Sequence, residues 1–130
     1  MNRERLLEGA AFLENLQLKG RDQFDISSWH DKVIDREGNQ CGTSACALGW
    51  MAYEKMWGLR LSQWCVHIPT DNGSLDGEYA GAAVFDIEQW HANWLFLPDY
   101  YARDPTKEDV AARMRHLAAG GTPKDWKGDL

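Results

Sequence analysis

The sequence predicts an α+β fold that is mostly α: four to five helices around a central helix at about 43–57, with a small strand or hairpin near 59–68. Three observations carry this prediction. Apolar residues recur at helical spacing in several separate stretches, which marks amphipathic helices. Short-period alternation is confined to Leu59-Arg60-Leu61-Ser62 and Trp64-Cys65-Val66-His67-Ile68, as expected of strands. Ala45, Gly49 and Ala52 give the central helix a flat stripe of small residues, which lets another element approach closely.

The first helix is written in Leu6, Ala10, Leu13 and Leu16, with Arg3, Glu4, Glu8 and Glu14 on the other face, and Lys19-Gly20 should end it. Phe24 to Trp29 follows as a short aromatic-anchored segment in which Asp25 or Ser27 could cap a turn, and 35–40 reads as an exposed loop. Thr43 or Ser44 is the natural N-cap of the central helix, and Gly58 its stop. After the strand region, closed by Pro69, Asp71-Asn72-Gly73-Ser74 and Asp76-Gly77 are turn signals. Ala80 to Phe85 reads as a short helix. Asp86, with Gln89 three residues on, reads as the cap of another helix that buries Ile87, Trp90, Trp94 and Leu95. Pro105-Thr106 opens the last helix, Val110, Met114, Leu117 and Ala118 form its apolar face, and Gly120-Gly121 terminates it. Residues 1–130 form a single domain, with 119–130 as a frayed tail unless Trp126 pins it.

Composition narrows the function. The net charge of −6 and pI near 5.1 disfavour nucleic acid, because phosphate contacts need a basic surface. No apolar run approaches the roughly 18 residues of a membrane span, and Met1 to Glu8 does not read as a signal peptide. Three cysteines without a secreted framework point to reduced thiols in a cytoplasm. Seven tryptophans in 130 residues must either share one core or lie partly at the surface, where a cluster would bind a protein. Trp90 and Trp94, four apart on one helical face, with Tyr100 and Tyr101 just beyond, are the candidates for such a patch.

Chemistry centres on the thiols. Cys41, flanked by Gln40 and Gly42 and expected two or three residues before a helix N-terminus, is where a nucleophilic thiolate would be stabilised. A hydrolase or amidase would also need a histidine base, for which His67 is best placed, ahead of His30, His91 and His116. The competing structural role is a thiol packed in a tight glycine-containing turn. Cys41, Cys46, Cys65 and His67 also have the softness of zinc ligands, and Cys65 and His67 share one strand face. The five-residue step from Cys41 to Cys46 is a poor match to a paired zinc site, so inert core thiols are preferred and no metal or cofactor is expected. Asp71-Asn72-Gly73 lacks the alternating ligands of a calcium loop.

The segment Cys41-Gly42-Thr43-x-Ala45-Cys46-x-x-Gly49-Trp50, followed by Gly81 to Ala83, Trp94-Leu95-Phe96 and Pro105-Thr106-x-x-x-Val110-Ala111, resembles a group of small bacterial and phage proteins sharing a C-G-T-x-A-C-x-x-G-W signature. The resemblance spans roughly residues 6 to 118 and implies no catalytic residues. Gln40-Cys41-Gly42 also resembles the start of papain-like peptidases, but lacks the following aromatic, and the chain is too short for their two-lobed fold. The reading that results is a small accessory protein, phage-derived, in the cytoplasm of a bacterial host. It would act by binding a host or phage protein, with modulation of host defence as one form of that role. A cysteine-dependent hydrolase and a zinc-stabilised domain are the alternatives, and the absence of a complete catalytic constellation leans against an enzyme.

Overall fold

The structure is a computed structural model that describes residues 1–29, 31–34, 40–62 and 65–128, with the backbone alone at 34 and 40–43. It is α+β and mostly helical, with five α-helices and two small three-stranded sheets among the described residues. His30, Trp64 and most of the expected 35–40 loop lie outside the described residues.

Helix α1 (Arg3–Asn15) is capped by Asn2, whose side chain accepts from the Arg5 N–H, and it buries Leu6, Ala10 and Leu13 as the spacing requires. It ends earlier than Lys19-Gly20. Lys107 Nζ donates to the Leu13 carbonyl at 2.8 Å and the Glu14 carbonyl at 3.3 Å, occupying acceptors that another helical turn would use.

Residues 40–45 form strand β3 (Gln40–Ala45), not a helix start, between β1 (Gln23–Phe24, parallel) and β2 (Asp31–Ile34, antiparallel). Thr43 and Ser44 pair with Lys32 and Asp31, so neither caps a helix. The pairing steps from Val33↔Gly42 to Ile34↔Gln40, which leaves Cys41 as the extra residue of a bulge. The central helix α2 is therefore shorter than 43–57: it spans Ala47–Tyr53, begins after Cys46, and buries every residue from Ala47 to Ala52.

Two signature residues after Cys46 fix α2 in place. Trp50 Nε1 donates to the Gln23 carbonyl at 3.0 Å, tying the helix to β1. Gly49 faces the Trp29 main chain so closely that a Cβ would collide with the Trp29 carbonyl oxygen. The Trp29 indole in turn lies over Gly77, where a Cβ would come within 3.0 Å of it and where φ is +56°. Glycine is required there twice over, by space and by backbone conformation.

Beyond α2 the chain turns through Lys55 (φ 59°) and Trp57 (φ 51°), non-glycine residues in the left-handed region. Trp57 is held there by packing edge-on against Phe85, ring centres 5.4 Å apart, and by donating to Glu8. The second sheet is a meander of β4 (Arg60–Leu61), β5 (Val66–Thr70) and β6 (Gly73–Asp76) in that order. β5 runs on through Pro69 to a two-residue turn at Asp71-Asn72, since Thr70 pairs with Gly73.

Helices α3 (Glu78–Phe85) and α4 (Gln89–Phe96) follow. Asp86 is not the cap of α4; it ends α3 in the left-handed conformation, and Glu88 precedes α4. Helix α5 (Lys107–Ala118) has the full Thr106–Asp109 capping box. It closes with Gly120 N–H to Leu117 O and Gly121 N–H to His116 O, the paired bonds of a Schellman motif. Residues 119–128 then fold back instead of trailing away, because Trp126 packs edge-on against Trp94 at 5.6 Å and against His116 at 5.1 Å. No helix among the described residues is long and apolar enough to cross a membrane.

Candidate functional site

The two thiols with described side chains, Cys46 and Cys65, occupy positions that disfavour nucleophilic chemistry. Cys41 lies in β3, six residues before α2 begins and not the two or three expected. Its side chain and that of Gln40 lie outside the described set. The residue at the helix start is Cys46, and it is buried. Burial pushes its thiol up to about 12, against the opposing pull of the Gly49 and Leu48 N–H groups. Cys65, half-buried with Sγ 3.3 Å from the Val66 carbonyl, is also raised, by burial first and then by Asp76. His67 sits in β5 opposite Arg60 and Asp76. Among the described residues, no three His, Cys, Asp or Glu side chains converge to hold a metal ion.

These positions make labelling a direct check. At pH 8 the buried Cys46 thiol stays protonated. Iodoacetamide should therefore leave Cys46 unmodified in the folded protein and modify it only on unfolding, while Cys65 reacts slowly; peptide mass spectrometry reads both. Rapid labelling of folded Cys46 would show that the thiol is neither buried nor raised.

The aromatic patch read from the sequence divides into two halves. Trp94 (7% exposed) and Tyr101 (9%) are core, whereas Trp90 (40%) and Tyr100 (44%) are surface, separated by the length of α4. The reason is Arg113, which the sequence reading left out of the apolar face of α5. Its guanidinium lies 4.4 Å from the Trp94 ring centre and 3.7 Å from that of Tyr101. Nη1 donates to the Trp94 carbonyl at 2.6 Å and Nη2 to the Tyr100 carbonyl at 3.0 Å, while the Tyr101 hydroxyl donates to the Leu95 carbonyl at 2.6 Å. A buried cation needs such partners, so Trp94 and Tyr101 belong to its cage and not to a binding surface. Trp90 remains available, its indole N–H donating to Glu88 and its ring against His91.

A second cluster that the sequence did not disclose fastens the tail. His116 Nε2 lies 2.7 Å from both the Thr122 carbonyl and Asp125 Oδ1. The Thr122 N–H and His116 together hold the Asp125 carboxyl below its ordinary value. A depressed carboxyl stabilises above its unfolded pKa and loses that contribution as pH falls through the folded one. The Trp126 indole resonance should therefore shift toward its unfolded position below about pH 4, and Asp125→Asn should show part of that shift at pH 7. A resonance insensitive to both would remove the fastening role.

A surface with grooves lies at the end of α2. Tyr53 is half exposed and packs edge-on against Trp50 at 5.4 Å. Grooves open on either side of it. One, of about 440 Å³, runs between α2 and β4, with Tyr53, Lys55, Leu59, Arg60 and Leu61 in its walls. The other, of about 400 Å³, lies between α1 and α2 and is mixed in character, with Phe12, Trp50 and Tyr53 beside Lys19, Asp22 and Glu54. The sequence could not show this face, because the expected helix through Trp57 would have carried the chain past the break that opens it. No family model, curated protein or solved structure matches this chain.

Proposed function

We propose that this chain is a small accessory protein that binds another protein through the face centred on Tyr53. The carrying observation is a half-exposed tyrosine braced by Trp50 and flanked by two grooves. An aromatic anchor beside a mainly apolar groove, as between α2 and β4, is a usual energetic centre of a protein interface. The acidic net charge favours this role over phosphate binding, and the burial of Cys46 disfavours thiol chemistry at that residue. The signature resemblance to bacterial and phage proteins supports a host or phage protein as the partner, with host defence as one process such binding would modulate. Trp90 and Tyr100 are secondary contact points at most, since neither lines either groove.

A photo-crosslinking amino acid at position 53, compared with one at exposed Lys124, tests the reading in bacterial cells. A discrete protein adduct is expected from position 53 and not from position 124. Equal, diffuse crosslinking from both positions would contradict it.

A further inference from the structure

We infer that the groove between α2 and β4 receives an acidic, extended peptide segment of the partner, an inference that rests on the binding role of the Tyr53 face. Charge is the first ground. The chain carries a net charge of −6, yet this groove has Lys55 and Arg60 in its walls and no carboxylate. Among the described residues neither cation forms an ion pair. An acidic ligand is thus repelled by most of the surface and attracted here, which fixes both location and orientation.

The second ground is the strand that forms one wall. β4 is an outer strand of its sheet. The Ser62 N–H donates to the Cys65 carbonyl at 2.9 Å, so Ser62 and Cys65 form a bonded pair of the hairpin. By the alternation of an antiparallel ladder, Leu61 and Val66 are then a non-bonded pair. The Val66 carbonyl agrees, since it faces the other way and accepts from the Gly77 N–H at 2.8 Å. The N–H and C=O of Leu61 are accordingly directed away from β5, toward the open edge. An extended segment can pair with them, set apolar side chains beside Leu61 and Tyr53, and bring its carboxylates to Lys55 and Arg60.

The test uses fluorescence anisotropy with a fluorescein-labelled eight-residue peptide alternating glutamate with valine and tyrosine. Saturable binding is expected in low salt, weakened about tenfold by the double variant K55E/R60E. Both positions are exposed, so the variant should fold. A peptide with lysine for every glutamate should not bind the unmodified protein and should bind the variant, and its first arm needs no substitution at all. Absence of saturable binding, equal affinity for the lysine peptide, or an unchanged affinity in K55E/R60E would each overturn the inference. Displacement of the peptide by an equal concentration of a twelve-nucleotide single-stranded RNA would also overturn it, in favour of nucleic acid. If the acidic peptide fails while the position-53 adduct persists, the acidic segment is wrong and the binding face stands; loss of both removes the two together.

Discussion

Arg113→Met is expected to lower the stability of the folded chain by about 3 kcal/mol, which for a domain of this size is a fall in unfolding midpoint on the order of 10 °C. Methionine approximates the volume of the aliphatic stem but supplies no donor. The Trp94 and Tyr100 carbonyls would then lose charge-assisted bonds of 2.6 Å and 3.0 Å. The two aromatic faces now stacked on the guanidinium would lose their cation as well. Arg113→Lys separates charge from geometry. It retains a cation but cannot reach both carbonyls with a planar fork, so an intermediate loss is expected. Urea unfolding followed by circular dichroism measures all three proteins. A methionine variant within a few tenths of a kcal/mol of the parent would show that the cage contributes nothing net.

Gly49→Ala should be as damaging by a different route. The added methyl would meet the Trp29 carbonyl oxygen and come within 2.7 Å of the Ala45 Cβ, both belonging to backbone or to a side chain without freedom to move. Relief requires α2 to move away from the Trp29 segment, and Trp50, one residue on, would be drawn off its bond to the Gln23 carbonyl. Overpacking of this kind costs about 3 kcal/mol. Helix propensity favours alanine over glycine by roughly 1 kcal/mol, so the steric effect should dominate the sign. An alanine variant as stable as the parent would mean that α2 and the Trp29 segment do not pack as described.

The parts of the fold legible in the sequence are those whose determinants lie within a few residues of one another. Thr106 and Asp109 cap α5 three positions apart, and the glycines at 120 and 121 close it with bonds to Leu117 and His116. The Leu6, Ala10 and Leu13 face of α1 is likewise local. The first sheet is not. Gln23 and Phe24 pair with Ser44 and Ala45 across about twenty residues, in strands too short and too polar to alternate visibly. That non-local pairing drew Thr43 and Ser44 out of the helix their chemistry suggested, and with them went the reason for an acidic Cys41. Arg113 was hidden because a charged residue on an apolar face reads as solvent-facing until the rings that enclose it are known. The Tyr53 face was hidden because Lys55 and Trp57 adopt positive φ without glycine, a turn enforced by packing against Phe85 and not by residue type.

The segment Cys46 to Trp50 thus builds the scaffold, and the proposed recognition falls to the surface just beyond it. Unfolding midpoints of Gly49→Ala and Tyr53→Ala, measured side by side, test that division most directly. Gly49→Ala should fall on the order of 10 °C, while Tyr53→Ala, which loses an exposed ring and one edge contact with Trp50, should change by less than about 1 kcal/mol. A stable Gly49→Ala beside an unfolded Tyr53→Ala would reverse the two roles and contradict the assignment of scaffold and surface.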